Sequence, residues 1–502
     1  MVVNAGLWPG MELADGLARN ILSANPWWDG RPGPQLPPVR RDFVGALDRR
    51  LAARLAPIVV VRGPRQVGKT TAQLQVIQDL LGRGVDPRLI LRVQFDELPS
   101  LKRLDEPILR IVEWFQHVIL RRTLNEVAAS GGTTYLFFDE VQNLRDWDAQ
   151  LKALVDHHTT RVVVTGSSAL RIEAGRDSLA GRIHSLDVGT LKLNEISAIR
   201  FGTKLEIARP ENSIEDLLRV DFWKELRELG AHQQEGRDAV FSAFAERGGY
   251  PLVHEHADVP WDQITGQLNE TVINRVIQHD LRLGDRGRRR DPDLLKELFR
   301  LACRYAGQSP GTLLFQREIQ RVMSANVGAQ RVRQYLDFLD RTLLLRMVEP
   351  LEIRLKKRKG DAKLCLADHG LRASWLGEVV PLTPDGLRAA PESSSLAGRI
   401  AESVAGSYLK TNLGAGDLRH VPARPDQPEI DFVLVIGTQR IPIEIKYQRR
   451  IDPQGDTEGL RSFIERAVNR APFGVLVTQS DDVLVPDPRI VTLPLSSLLL
   501  LR

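Results

Sequence analysis

The sequence predicts a multidomain α/β protein whose leading folded domain is a parallel sheet wrapped by helices. Its 502 residues suffice for about two to four separate cores. From residue 58 onward, short β-branched strands alternate with amphipathic helical runs, the order of a parallel layer. The run IVVVRGPRQVGKTT over 58–71 sets Gly63, four further residues and then Gly68, Lys69 and Thr70 between a strand and a helix, which is P-loop spacing. A glycine-rich loop can arise by chance, but the apolar strand before it and TAQLQVIQDLL after it supply the context that a bare pattern lacks.

Gly63, Pro64, Arg65, Gln66, Val67, Gly68, Lys69, Thr70 and Thr71 form the expected ATP-binding segment. Glycines let backbone N–H groups curl around phosphate oxygens, Lys69 carries a charge to the β/γ phosphates, and Thr70 offers a hydroxyl to Mg²⁺. The helix that starts near Thr70 turns the positive end of its dipole to the same anion.

The composition, 42% hydrophobic and 26% charged, excludes a chain dominated by disorder or coiled coil. No stretch nears the roughly 18 apolar residues of a membrane span and no signal peptide is visible, so a cytoplasmic protein with no membrane partner is expected. Cys303 and Cys365 stand too far apart for a disulfide framework or a metal finger. A net charge of +5 mildly favours a polyanionic partner without singling out nucleic acid.

The first 41 residues, with NPWWDG and GRPGPQLPPV, read as an extended arm tied onto the next domain. Trp27 and Trp28 either cap that domain's core, the preferred reading, or anchor an interface. A helix is expected over 42–55. After the P-loop come a strand over 89–95, a helix over 106–127, the buried strand TTYLFFDE over 133–140, a helix over 147–156 and the strand RVVVTGSS. Ligands of such sheets bind past the carboxyl ends of the strands, where Asp139, Glu140 and Thr165 fall. Asp139 is the expected Mg²⁺ partner through water, and Glu140 the residue that orients or activates the attacking water. Two acids at a strand end also commonly start a helix. Thr165, with Ser167, can sense the γ-phosphate, unless the Thr-Gly-Ser turn is a plain loop. Arg182, in SLAGRIHSLDVGTL, is the expected arginine finger into a neighbouring subunit, with Arg176 in reserve. The competing reading is a surface arginine paired with a carboxylate.

Residues 191–253 turn helical and charged and stop at GGYP. Helices are then expected at 261–283, 293–305, 315–323 and 329–342, with an arginine cluster at Arg286, Arg288, Arg289 and Arg290 and a basic hairpin after them. This is the outline of a winged helix-turn-helix. Residues 327–340 would be its recognition helix, with Arg331, Arg333 and Arg341 available to DNA phosphates, and Lys356, Lys357, Arg358 and Lys359 would form the wing. Basic runs are usually solvated faces; clustering on one wing favours phosphate contact, without sequence specificity.

After a Ser/Pro-rich link at 390–398, a helix over 399–411 carries Glu402, and IDFVLVIGTQRIPIEIK reads as a hairpin turning at Gly437. Alternation puts Ile441, Ile443 and Ile445 on one face and Glu444 and Lys446 on the other, within reach of Asp431 on the partner strand. Glu402, Asp431 and Glu444 are a set suited to Mg²⁺ or Mn²⁺, with Lys446 stabilising the attacking water or the developing charge. A half-exposed hairpin often carries Glu and Lys by accident. The order of these four matches a PD-(D/E)xK nuclease-like domain, a fold also retained for binding alone.

With GPRQVGKTT, LFFDEVQ, VVTGSSA, LAGRI, RGGYPLV, EIDFVLV and IPIEIKY in place, the chain from about residue 42 resembles the bacterial and archaeal AAA+ ATPases that carry a winged-helix module and a PD-(D/E)xK nuclease-like C-terminal domain. The resemblance implies a homo-oligomeric ATPase, compatible with a hexameric ring although the sequence does not set the ring size, with suspected roles in DNA processing. It also implies a helical lid whose GGYP turn lies near the nucleotide. The expected domains are an arm (1–41), an AAA+ core (42–190), the lid (191–256), a winged-helix module (257–385) and the nuclease-like domain (391–502). The expected function is ATP-driven remodelling of, or translocation along, DNA, helicase activity included, with metal-dependent cleavage as an optional second activity. The alternative is a nucleotide-controlled switch or scaffold for a protein partner, with a non-cleaving C-terminal domain.

Overall fold

The computed structural model describes residues 13–95, 104–166, 178–209, 214–279, 291–323, 327–352, 360–413, 417–424 and 428–502. They form two compact units, one ending at Val188 and one running from Gly189 to Arg502, with the four residues 64–67 grouped apart from the first.

In the first unit, β1 (Ile58–Arg62), β2 (Ile90–Gln94), β3 (Tyr135–Asp139), β4 (Arg161–Gly166) and β5 (Ile183–Asp187) make an all-parallel sheet in the order β2-β3-β4-β1-β5. Strands covered on both faces read as unbroken apolar runs. IVVVR and YLFFD read that way because all but one residue of each is buried. From the carboxyl end of β1 the chain enters the phosphate loop and the helix Lys69–Gly82.

The arm is less extended than expected. Asp15–Ala24 is a helix, burying Leu17 and Ile21 at i, i+4 spacing, and Pro26–Asp29 is a tight helical turn. The arm's side chains satisfy the backbone of the edge strand β2. Asn25 bonds both the N–H and the C=O of Arg92, at 2.7 and 2.8 Å, and the indoles of Trp27 and Trp28 donate to the Ile90 carbonyl. Covering an edge in this way blocks pairing with another strand. Trp28 also stacks on Phe115 at 5.8 Å, so both tryptophans serve this domain's own core. The single helix expected over 106–127 is broken. Arg121 turns left-handed, and Thr123 with Glu126 forms a capping box that starts a second helix, Leu124–Ala129.

In the second unit, helices Leu193–Phe201, Val220–His232, Gln234–Arg247 and Pro251–Glu255 precede a helical stretch over 261–279 and three further helices, Pro292–Arg304, Thr312–Met323 and Ala329–Arg341. β6 (Leu345–Pro350) and β7 (Lys363–Leu366) then pair antiparallel. This pair belongs to a larger sheet. β6 runs parallel to β8 (Asp417–Val421), and the sheet continues through β9 (Ile430–Ile436), β10 (Gln439–Lys446), β11 (Gly474–Thr478) and β12 (Ile490–Pro494). The boundary expected between 385 and 391 therefore falls within a unit whose one sheet draws strands from both sides of it. The helices allotted to a lid share this sheet's core: Trp223, Leu226 and Phe241 cluster with Leu434, Ile443 and Val491. Arg237 ties them further, bonding Asp481 at 2.6 Å and Ser497 at 2.8 Å. Helical periodicity fixes which face of a helix is apolar, but not which sheet that face meets. Cys303 and Cys365 are free and buried, and among the described residues no helix is long and apolar enough to cross a membrane.

Candidate active site

The phosphate loop joins a strand to a helix with the geometry that anion binding needs. Gly68 caps the helix Lys69–Gly82 in left-handed conformation at φ 87°, which glycine adopts without strain. The Lys69 Nζ, almost fully buried, donates to the Gly63 carbonyl at 2.9 Å, so it lies folded over the loop. Thr70 donates its hydroxyl to Asp139 Oδ2 at 2.6 Å, and Thr165 donates to the other carboxylate oxygen. The end of β3 thus bridges the first turn of the helix and the end of β4. Glu140, next in the chain, stands in left-handed conformation at φ 54° and accepts from the Gln142 amide.

The Thr70 hydroxyl and the Asp139 carboxylate sit side by side as hard oxygen ligands, a donor set that fits Mg²⁺ brought in with a nucleotide. Three neighbours were missed in the sequence. Gln73, one turn after Thr70, donates to the Thr165 hydroxyl at 3.2 Å. Gln142 holds Glu140. Arg92, a lone charge in an apolar strand, places its guanidinium 3.7 Å from Asp139 and bonds Gln94. Only the last left a visible signal, a cation inside LILRVQF.

Arg182 forms a two-pronged pair with Asp156, at 2.5 and 3.0 Å, and these bonds hold the Asp156 carboxyl below its usual range. Its reserve Arg176, and Ser167, lie outside the described residues, as do Lys356, Lys357, Arg358, Lys359 and the arginines at 286–290. On the helix Ala329–Arg341, Arg331 lies over the Tyr335 ring and 3.9 Å from Asp291, Arg333 is exposed, and Arg341 pairs with Asp337. The GGYP turn packs on Asp368, which accepts the N–H of Gly249 at 2.6 Å.

A second cluster of charges lies in the second unit. The β9–β10 hairpin turns at Gly437, with φ 57°, and its ladder reaches Ile443 opposite Phe432. Past that pair the Asp431 carboxylate itself accepts the Ile445 N–H, at 2.9 Å. Glu402, from the helix Ser394–Asn412, comes alongside, and Lys446 pairs with Glu444 at 2.9 Å. The four expected residues are therefore brought together. With them stands a lysine that sequence reading missed. Lys363, first residue of β7, bonds Asp431 at 2.9 Å and Glu402, and lies 3.4 Å from Glu429. Burial would lower the Lys363 pKa, but Asp431, Glu402 and Glu429 together raise it. Burial, then Asp431, push Glu402 up, and likewise raise Glu444 to about 8. Burial would raise Asp431 too, but Lys363 outweighs it and holds that carboxyl below its usual range. Oxygens of Glu402, Glu429 and Asp431 converge within 4.8 Å, as for a hard cation, yet the Lys363 ammonium is what they hold. The residues present do not fit a divalent ion there.

Residues 56–197 match the family model of an AAA domain, and 239–379 match a domain of unknown function, DUF8612. An uncharacterized protein of Haemophilus influenzae is 24% identical over 327 residues, 64% of this chain and 70% of that protein. An uncharacterized protein of Mycobacterium tuberculosis is 25% identical over 344 residues, 67% of this chain and 60% of its own length, so the chain spans less than two thirds of that relative. Among solved structures, a Walker-type ATPase of Pyrococcus abyssi is similar at 15% identity and TM-score 0.38, over 68% of this chain and 99% of that one. Drosophila ORC bound to DNA is similar at 15% identity and TM-score 0.24, over 75% and 96%. The match over 56–197, with the phosphate loop and the Thr70, Asp139 and Thr165 contacts inside it, supports an ATPase of the AAA type.

Proposed function

We propose that the chain is an AAA+ motor that hydrolyses ATP to remodel or move along DNA, acting as a homo-oligomer compatible with a hexameric ring. The observation that carries the reading is the Asp139 carboxylate shared by Thr70 and Thr165 beside Lys69. In this reading Lys69 and the loop from Gly63 to Thr71 hold the phosphates, and Glu140, kept in place by Gln142, orients the attacking water. Thr70 and Asp139 would hold Mg²⁺, which when bound would supply charge neutralisation for the phosphates. Thr165 reports on the γ-phosphate through its bond to Asp139. Arg182 can act as a finger only after leaving Asp156.

The DNA side of the reading is supported by the three helices ahead of β6 and by exposed Arg331 and Arg333 on the last of them. Lys356, Lys357, Arg358 and Lys359 add basic charge to the following segment. ATP turnover tests the motor. Glu140→Gln should lower kcat by roughly 10²-fold or more while nucleotide still binds, and Lys69→Ala should abolish turnover. Unchanged rates in both would overturn the ATPase reading. Stimulation of hydrolysis by linear, forked and four-way DNA tests the substrate, and its absence with all three removes DNA.

The second reading, a nucleotide-controlled switch or scaffold with a non-cleaving C-terminal domain, is favoured by one observation: the lysine lodged among Glu402, Glu429 and Asp431. Slow, DNA-insensitive hydrolysis with nucleotide-dependent oligomer size would select it.

A further inference from the structure

We propose that Lys363 is a built-in cation that takes the place of a divalent metal in the Glu402, Glu429 and Asp431 cluster, so that the C-terminal domain keeps its acidic residues together without metal and does not cut DNA. Every residue of this cluster lies in the second unit, between Gly189 and Arg502, and none belongs to the phosphate loop or its ATP chemistry.

Side-chain exposure sets the terms. Lys363 is 1% exposed, so its ammonium has left water and needs anionic partners to replace it. An ammonium carries three N–H donors. Lys363 finds three carboxylates, from two separate segments: Glu402 on the helix Ser394–Asn412, and Glu429 and Asp431 at the start of β9, one just before the strand and one within it. The Phe432 ring face lies 5.3 Å from the Nζ and adds a fourth favourable surface. These contacts are what a metal would otherwise provide, a positive centre that draws oxygens from different elements to one point.

The two cations cannot share that point. A hard dication such as Mg²⁺ takes its oxygens at about 2.0–2.1 Å and needs them free to converge on it. Here Asp431 spends one oxygen on Lys363 and the other on the Ile445 N–H. A dication entering beside the ammonium would meet a like charge within about 4 Å, repelling it twice as strongly as a unit charge does. Lys446, the lysine of the expected motif, is engaged elsewhere, with Glu444. Lys363 is therefore an additional lysine, supplied by a strand that sequence reading allotted to a different domain.

Mn²⁺ binding, followed by loss of the free-ion EPR signal without nucleotide, tests the inference. Wild-type protein and Glu402→Gln should bind Mn²⁺ equally weakly, because this cluster contributes no site. Lys363→Met, which keeps the stem and removes the charge, should gain one site at least about 100-fold tighter than any in wild type. Adding Asp431→Asn to Lys363→Met should remove it. Mn²⁺ should also raise the Tm of Lys363→Met but not of wild type. A wild-type site that Glu402→Gln abolishes would overturn the proposal, as would a folded Lys363→Met that gains none. If Lys363→Met fails to fold, the comparison of wild type with Glu402→Gln decides alone. Mg²⁺-dependent cutting of DNA by wild type, lost in Asp431→Asn, would also overturn it.

Discussion

Gly248 has no room for a methyl group. At φ 82° and ψ −160° it occupies a region that only glycine enters cheaply, and a Cβ there would collide with the Asp368 carboxylate. That carboxylate is buried and accepts the N–H groups of Gly249 and Gly370, at 2.6 and 2.8 Å. Gly248→Ala should therefore cost roughly 3 kcal/mol or more. Asp368→Ala, which strands two buried N–H donors, should cost about 2–4 kcal/mol. Thermal unfolding checks both, and an unchanged Tm in either would show that the turn does not depend on this contact. GGYP was legible as a turn, because Gly-Gly and Pro punctuate a chain locally; its partner lies 119 residues further on. The nucleotide site divides in the same way. Lys69 and Thr70 follow from spacing, and Asp139 and Thr165 from where strands end. Gln73 and Gln142 are ordinary helix and loop residues until the fold brings hydroxyl and carboxylate partners to them.

Elements encoded by their own residues were legible, and those defined by distant partners were not. β1, β3 and β4 announce themselves as apolar runs, and the β9–β10 hairpin turns at Gly437 as alternation requires. The membership of β6 and β7 in the C-terminal sheet rests on two residue pairs, Glu349 with Arg419 and Pro350 with His420, about seventy residues apart. No local pattern carries that separation, so Lys363 was invisible as part of the acidic cluster. The helix Ala329–Arg341 was legible, and the proposed DNA contact can be tested on it directly. Arg333 is exposed, whereas Arg331 is partly engaged with Asp291 and Tyr335. Replacing Arg333 by Ala should weaken binding evenly across DNA sequences and reduce the slope of log K against log salt by about 1. Arg331→Ala should do less. Anisotropy titrations over a KCl series measure both slopes, and slopes that do not move would place the DNA elsewhere.

Across the molecule, buried titratable groups pull stability in opposite directions with pH. His254 is 2% exposed, and its Nε2–H donates to the Gly248 carbonyl at 2.7 Å. Burial, with Arg200, Arg247 and His369 adding to it, outweighs that bond and lowers the imidazole to about 4. A neutral folded histidine must meet an unfolded one that protonates near 6.5, so the unfolded chain binds the extra proton and stability falls as pH drops from about 6.5 to 4. The loss from His254 alone approaches roughly 3 kcal/mol at the lower end. Glu444 acts with the other sign. Its carboxyl is raised to about 8, so the folded state holds the proton and stability falls as pH climbs from about 4.5 toward 8. Between 4.5 and 6.5 the two effects oppose, and a pH profile of wild type alone cannot separate them. His254→Gln separates them, because glutamine reaches the Gly248 carbonyl with an N–H and does not titrate. The variant should be less stable than wild type at pH 8, with the gap in Tm closing steadily between pH 6.5 and 4. A gap that stays constant over that interval would mean that His254 is not held neutral by its surroundings.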